Sequence, residues 1–102
     1  MPDKLLQVFL CESDRYLGKP LHEAIVEVCR EEAMAGATVL RGVEGFGEGI
    51  AAIRKHPLTV MIIDSEEKID AFVPVLQAML TSGTITVSEV RMRRVTVPPP
   101  VP

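Results

Sequence analysis

Aromatic residues are scarce in this chain of 102 residues, which has no tryptophan, one tyrosine and three phenylalanines. A hydrophobic core must therefore be built from aliphatic side chains and methionine. No apolar run approaches the ~20 residues that a helix needs to cross a membrane, so we expect no membrane insertion. The formal net charge is −3, whereas proteins that bind nucleic acid typically have an excess of basic residues. We therefore predict no nucleic-acid partner.

Metal-binding side chains are equally few, since the chain has two cysteines and two histidines. Cys11 and Cys29 lack the spacing of a metal site or a redox motif, and we interpret them as small buried side chains. No signal peptide is recognised, so reduced thiols and a cytoplasmic location are expected. His22 and His56 form no cluster with the cysteines. We therefore predict no metal site, no catalytic residue and no obligatory cofactor.

The hydrophobic pattern predicts strands and helices in the order β-α-β-β-α-β. This order is typical of an α+β, ferredoxin-like fold, with a four-stranded antiparallel sheet and two helices on one face. Helices are expected after Pro20 and after Ser65, and Gly36 and Gly83 are expected to end them. The predicted strands are residues 5–11, 37–43, 58–63 and 85–97.

A single domain is expected for residues 1–97, followed by a proline-rich, extended tail at residues 98–102. Both faces of the predicted sheet carry apolar residues. The first strand has Leu6, Val8 and Leu10 on one face and Leu5, Phe9 and Cys11 on the other. Because two helices cover one face only, we expect the other face to be buried between subunits.

The stretch from Gly42 to Gly49 contains four glycines and directly follows the second predicted strand. Glycine allows backbone N–H groups to approach a ligand closely, which indicates a binding loop. Arg91 and Arg93 lie two residues apart, so they would share one face of the fourth predicted strand. Two neighbouring guanidinium groups suit an anion, and a solvated strand end is the alternative interpretation of this pair.

Several motifs together identify a family. From about Leu5 to Val97 the chain resembles the PII-like signalling proteins, and among them a branch known as a domain of unknown function. The motifs are Cys11-Glu12-Ser13-Asp14-Arg15, residues 20–27, residues 35–47, Asp64-Ser65-Glu66-Glu67-Lys68-Ile69 and Phe72-Val73-Pro74.

The resemblance implies a non-enzymatic regulatory protein that forms a homotrimer and binds an adenine nucleotide in clefts between subunits. It also implies signalling to a membrane transporter or a metabolic enzyme. With Gly42 of the same glycine-rich stretch included, the nucleotide-binding residues would be Gly42, Gly45, Phe46, Gly47, Asp64, Ser65, Gly83, Arg91 and Arg93.

Two departures from the family pattern affect the expected ligand. Glu48 stands where the relatives have a phosphate-binding arginine, and Thr84 stands where they have a lysine. Each charge-assisted phosphate contact contributes ~1.5–3 kcal/mol, so an AMP- or ADP-like effector is favoured over ATP. The mobile loop (the T-loop of the family) is also shortened, and residues 50–54 have the pattern of a helical turn. Two alternatives stay open: a structural trimer without a ligand, and a small carboxylate-dependent enzyme.

Overall fold

The computed structural model describes residues 2–47, 50–54, 56–98 and 100–101, with the backbone alone for residues 46–47 and 50–54. Two helices and eight strands follow one another along this part of the chain. In order they are β1 (Asp3–Cys11), β2 (Arg15–Tyr16), β3 (Lys19–Pro20), α1 (Leu21–Glu31), β4 (Gly36–Arg41), β5 (Gly45–Gly47), β6 (Ile50–Arg54), β7 (Pro57–Ser65), α2 (Glu66–Met79) and β8 (Thr84–Val90).

The four longer strands β4, β7, β1 and β8 form one antiparallel sheet in that spatial order. Both helices pack on the same face, because alternate residues of β1 and β7 point toward them and are buried. This arrangement confirms the predicted α+β, ferredoxin-like fold. The buried core consists of Leu6, Val8, Leu10, Leu21, Ala24, Ile25, Cys29, Leu58, Val60, Ile62, Ile69, Phe72, Leu76 and Met79.

The open face of the sheet is a mixture of apolar and threonine side chains. The register places Thr38, Met61, Gln7 and Thr86 in one row across the four strands. The neighbouring row contains Leu40, Thr59, Phe9 and Thr84. Phe9 is 38% exposed and Leu40 is 50% exposed, so apolar surface is accessible on this face, although it is less uniformly apolar than the sequence predicted.

The last strand is shorter than predicted. β8 ends at Val90, which pairs with Asp3 at the start of β1. Pro2 has no N–H with which to extend the pairing, so residues 91–98 have no regular secondary structure. Arg91 and Arg93 therefore follow the strand instead of lying on it, which corrects the prediction of a strand to Val97.

The first helix ends before the glycine that was expected to end it. α1 stops at Glu31, and Gly36 is the first residue of β4. The left-handed residue is Ala33, with φ of 54°. The N–H of Ala33 donates to the carbonyl of Arg30, and the N–H of Met34 donates to the carbonyl of Cys29. This pair of hydrogen bonds is the Schellman motif, in which the left-handed position usually belongs to glycine.

Replacing Ala33 by glycine is expected to stabilise the protein by about 0.5–1 kcal/mol. The left-handed conformation costs an alanine roughly 1–2 kcal/mol, and this gain exceeds the backbone entropy that glycine loses on folding. Urea unfolding followed by circular dichroism measures the change. Ala35→Gly is the matched control, because Ala35 does not have a positive φ and its replacement should destabilise. Equal losses in both variants would contradict this expectation.

The second helix likewise ends early, at Met79, so Gly83 does not end it. Gly83 leads into β8 with φ of 126°. A Cβ atom at this position would lie 2.8 Å from the carbonyl oxygen of Phe9. Glycine is therefore required here by the close approach of the backbone to β1, and not by the end of a helix.

The glycine-rich stretch continues into a two-stranded hairpin. β5 and β6 pair antiparallel, with Gly45 opposite Arg54 and Gly47 opposite Ile50. Residues 50–54 are therefore a strand, and the expectation of a helical turn there is wrong. Glu48 lies outside the described residues. Among the described residues, no helix has the length and apolar character needed to cross a membrane.

Candidate functional site

The predicted ligand residues lie at two opposite ends of the sheet. At one end, Cys11 pairs with Pro57 and Phe9 pairs with Thr84. We call this the glycine end, because Gly42, Gly45 and Gly83 all adjoin it. At the other end, Asp3 pairs with both Ser65 and Val90. We call this the arginine end, because Arg91 and Arg93 directly follow Val90.

The backbone at the glycine end is closely packed. The N–H of Gly42 donates to the carbonyl of Pro57 at 2.8 Å. A Cβ atom on Gly42 would lie 2.9 Å from Cγ of Pro57, and one on Gly45 would lie 3.5 Å from the same atom. Glycine at these positions leaves an open hollow of about 230 Å³, lined by Phe9, Leu10, Gly42, Glu44, Gly45, Pro57, Leu58 and Thr59.

An ion pair that the sequence analysis did not identify lies at the glycine end. Nη2 of Arg41 is 2.6 Å from Oε1 of Glu12, and Nδ1 of His56 is 3.9 Å from Oε2 of the same carboxylate. The N–H of Glu12 also donates to the carbonyl of His56. Arg41 and Glu12 are found only once the register is known, because it places the last residue of β4 beside the loop after β1.

The arginine end contains a larger hollow. The N–H of Met92 donates to Oδ2 of Asp3 at 3.2 Å, which holds the chain after β8 against the start of β1. Arg91 and Arg93 are both exposed, so their guanidinium groups are accessible to an anion. The hollow measures about 480 Å³ and is lined by Pro2, Asp3, Glu89, Val90, Arg91, Met92 and Arg93.

Asp64 is buried, and both oxygens of its carboxylate accept hydrogen bonds from the same chain. Its carboxylate accepts hydrogen bonds from the N–H of Ala35 at 2.8 Å and from the N–H of Ser65 at 2.6 Å. Nζ of Lys68 lies 3.3 Å away and also donates to the carbonyl of Ala33. Asp64 thus connects the turn after α1 to the junction of β7 and α2.

The surroundings of Asp64 set its protonation. Burial raises the pKa of this carboxyl, but the hydrogen bonds from Ser65, Ala35 and Lys68 outweigh burial and hold the pKa below its usual value. Asp64 is therefore ionised at neutral pH, with its oxygens directed at partners of its own chain. Ser65 caps α2, since its hydroxyl accepts from the N–H of Lys68 at 3.4 Å. Asp64 and Ser65 therefore stabilise the fold at the arginine end.

The cysteines are buried and unpaired, as the sequence predicted. Burial raises the pKa of Cys29 to about 11, so its thiol is protonated at neutral pH and is a poor nucleophile. Among the described residues, no group of three or more histidine, cysteine, aspartate or glutamate side chains is arranged to hold a metal ion.

The two ends of the sheet are too far apart for one ligand to reach within one chain. β1 spans the distance between them with nine residues. At about 3.3 Å per residue, this strand is roughly 26 Å long. Gly42, Gly45 and Gly83 therefore cannot surround a nucleotide-sized ligand together with Arg91 and Arg93 of the same chain. Phe46 and Gly47 continue from the glycine end in β5.

Comparison with known proteins identifies relatives over almost the whole chain. The model of the DUF190 family, described as uncharacterized ACR, matches residues 3–92. A UPF0166 protein from Aquifex aeolicus (strain VF5) is 36% identical over 98 residues, which cover 87% of this chain and 91% of that protein.

Solved structures of low sequence identity share the fold. CPII, a nitrogen regulatory PII-like protein from Thiomonas intermedia K12 bound to ADP, AMP and bicarbonate, superposes with a TM-score of 0.63 at 18% identity, covering 91% of this chain and 97% of CPII. A GlnK–ATP complex from B. subtilis gives a TM-score of 0.63 at 15% identity, covering 87% and 82% of the two chains. The chain thus has the PII-like fold, and by its sequence it belongs to the DUF190 family.

Proposed function

We propose that this protein is a non-enzymatic PII-like regulator that binds a small anionic effector between the subunits of a homotrimer. The effector is an adenine nucleotide, with AMP or ADP favoured over ATP. Binding orders the β5–β6 hairpin and so changes a surface that faces a transporter or an enzyme. The proposed nucleotide-binding residues are Gly42, Gly45, Phe46, Gly47 and Gly83 at the glycine end and Arg91 and Arg93 at the arginine end, whereas Asp64 and Ser65 stabilise the fold.

One observation carries the proposal, namely the separation of the glycine end from the arginine end within a single chain. At the glycine end, a ligand can approach the backbone closely, but Glu44 is one of the residues that line the hollow there. The arginine end offers two exposed guanidinium groups but no glycine-rich loop. The two halves complement each other only when the arginine end of one subunit meets the glycine end of the next. This arrangement supports a cleft between subunits.

The choice of effector rests on charge. The cations that we assign to phosphate groups are Arg91 and Arg93, while Arg41, whose side chain is 59% exposed, is already paired with Glu12. Glu48 and Thr84 supply no positive charge where the relatives have basic residues. Both ADP and AMP occur in the CPII complex, which has the same fold.

The open face of the sheet supports the trimer. Leu40 and Phe9 expose large apolar side chains there, and Leu5 and Ile63 pair in a further row of the same face. A contiguous apolar surface is unfavourable in contact with water, and large ones are rare on soluble monomers. Burial of this face around a threefold axis removes it from solvent and leaves both sheet ends at the subunit boundaries.

Calorimetry of the purified protein with AMP, ADP, ATP and cyclic AMP tests the proposal, and light scattering gives the mass. We expect a trimer that binds AMP or ADP more tightly than ATP. A trimer that binds none of the four would support the structural alternative. Slow conversion of a bound nucleotide, followed by chromatography, would support the enzyme alternative. A monomer at working concentration would contradict the cleft between subunits.

A further inference from the structure

One side chain, that of Glu12, contacts the chain on both sides of the β5–β6 hairpin. Its carboxylate is paired with Arg41, which precedes the hairpin, and lies near the imidazole of His56, which follows it. The contact with His56 is an ion pair only when the imidazole is protonated. The N–H of Glu12 also donates to the carbonyl of His56 at 3.2 Å. We call Glu12, Arg41 and His56 together the clasp.

His56 has a strained backbone at the end of the hairpin. Its φ is 64°, in the left-handed region that residues other than glycine adopt uncommonly, although histidine does so more often than most. Such a conformation persists where neighbouring contacts stabilise it. Glu12 supplies two of these contacts, one from its N–H and one from its carboxylate. Loss of the clasp should therefore allow this end of the hairpin to move.

Arg41 also borders the hollow at the glycine end. Leu58, the residue paired with Arg41 in the sheet, lines that hollow. Gly42 lines it as well, and its Cα atom lies ~3.8 Å from that of Arg41. Because Glu44 is a further lining residue and repels anions, an anion that binds there needs a cation nearby. Arg41 is placed to supply it.

The pair between Arg41 and Glu12 can be displaced at small cost. The two side chains are 59% and 37% exposed, and exposed ion pairs contribute little to stability because water screens them. A phosphate group accepts two parallel hydrogen bonds from a guanidinium group, and the monoester of AMP carries more negative charge than a carboxylate. A phosphate group beside Arg41 also repels the carboxylate of Glu12, which opens the contact with His56.

We propose that a phosphate group of the effector replaces the carboxylate of Glu12 as the partner of Arg41. The exchange opens the clasp, and the hairpin then takes the position that the bound effector orders. Arg41 is thereby a third cationic ligand residue beside Arg91 and Arg93, and Glu12 is a positioning residue. This inference rests on the proposed function and names the step that connects the effector to the hairpin.

Calorimetry with AMP tests the exchange through a double-mutant cycle. Glu12→Gln keeps the size of the side chain but removes the competing charge, so it should raise AMP affinity about threefold. Arg41→Ala should lower AMP affinity about tenfold. When both changes are combined, the affinity should equal that of Arg41→Ala, because the competitor acts only through the arginine. Unchanged or weaker AMP binding by Glu12→Gln would overturn the exchange.

Glu27→Gln is the matched control for Glu12→Gln. Glu27 forms an ion pair with Lys19, and the two side chains are 52% and 54% exposed. This pair resembles the pair of Glu12 and Arg41 in exposure, but it joins α1 to β3. Its loss should leave AMP affinity unchanged, and urea unfolding shows that both variants are folded. A gain in AMP affinity as large in Glu27→Gln as in Glu12→Gln would overturn the assignment to Glu12.

Hydrogen exchange tests the clasp without nucleotide. The amides of residues 50–54 should exchange about threefold faster in Glu12→Gln than in the original protein or in Glu27→Gln. Saturating AMP should remove this difference, because the bound effector opens the clasp in the original protein as well. Equal exchange in all three proteins without nucleotide would overturn the clasp.

The two proposals fail separately. If AMP binds and Glu12→Gln has the affinity of the original protein, the regulator stands and the exchange at Arg41 is wrong. If none of the nucleotides binds but Glu12→Gln accelerates exchange in residues 50–54, the clasp stands and the proposed effector is wrong.

Discussion

Alanine at both Arg91 and Arg93 is expected to weaken the binding of AMP or ADP by at least about 100-fold. Each guanidinium–phosphate contact contributes ~1.5–3 kcal/mol, and each 1.4 kcal/mol corresponds to roughly tenfold in affinity. Both side chains are exposed beside the same hollow, so neither replacement leaves a cavity in the core. Calorimetry of the double variant gives the loss directly.

Arg94→Ala is the matched control for this double variant. Arg94 is the next basic residue and is also exposed, but in an extended chain it points away from the side that Arg91 and Arg93 share. We expect its replacement to change nucleotide affinity less than threefold. Light scattering must show that both variants keep the mass of the original protein. Retained affinity in a trimeric double variant would show that the anion is held elsewhere.

Alanine at Asp64 is expected to lower the free energy of unfolding at neutral pH by about 2–3 kcal/mol. The variant removes the acceptor of two backbone N–H groups, those of Ala35 and Ser65. Hydrogen bonds to charged groups are worth roughly 1.5–3 kcal/mol each, although water can reach part of this site after the change. Urea unfolding measures the loss. Unchanged stability would contradict the structural task assigned to Asp64.

The effect of Asp64 should depend on pH in a defined direction. Its pKa is lower in the folded protein than in the unfolded chain, so its contribution is fully present above about pH 5 and is lost as pH falls through the folded pKa. The difference in stability between the original protein and Asp64→Ala should therefore shrink between pH 5 and pH 2, roughly the range over which such a carboxyl titrates. Asp70→Ala is the control, because the Asp70 side chain is 55% exposed and its pair with Lys4 should contribute less than about 1 kcal/mol.

The sheet and the helices were predictable because their signals are local. Val8, Val60 and Ile62 alternate with less buried neighbours along β1 and β7, and the apolar spacing of α1 and α2 continues over several turns. A period of two or of about 3.6 residues is visible without any knowledge of tertiary contacts. The order of these elements then indicated the ferredoxin-like fold.

The ends of the elements were less predictable because they depend on the partner strand or on the backbone. β8 stops at Val90 because β1 begins at Asp3, which no pattern in residues 85–97 can reveal. Gly36 was expected to end α1, yet Ala33 takes the left-handed position. The turn closes through Met34 and Cys29, and residues other than glycine can occupy it at some cost in free energy.

The same limit applies to the candidate site. Gly42, Arg91 and Arg93 could be named from residue type, but their separation to opposite ends of the sheet appears only with the register. The hydrogen bond from Ala35 to Asp64 also links residues 29 positions apart along the chain. Sequence alone placed it among the ligand residues, whereas its contacts give it a task within the fold.

With the proposed cleft between subunits, the separation of the glycine end from the arginine end predicts a genetic consequence. In a site divided between neighbouring chains, a defect at either end disables only the cleft to which that end contributes. Chains defective in Arg91 and Arg93 and chains defective at Gly42 can therefore complement each other when they assemble together. A mixed ring then regains a working cleft wherever an intact arginine end meets an intact glycine end, although neither parent chain could form one alone.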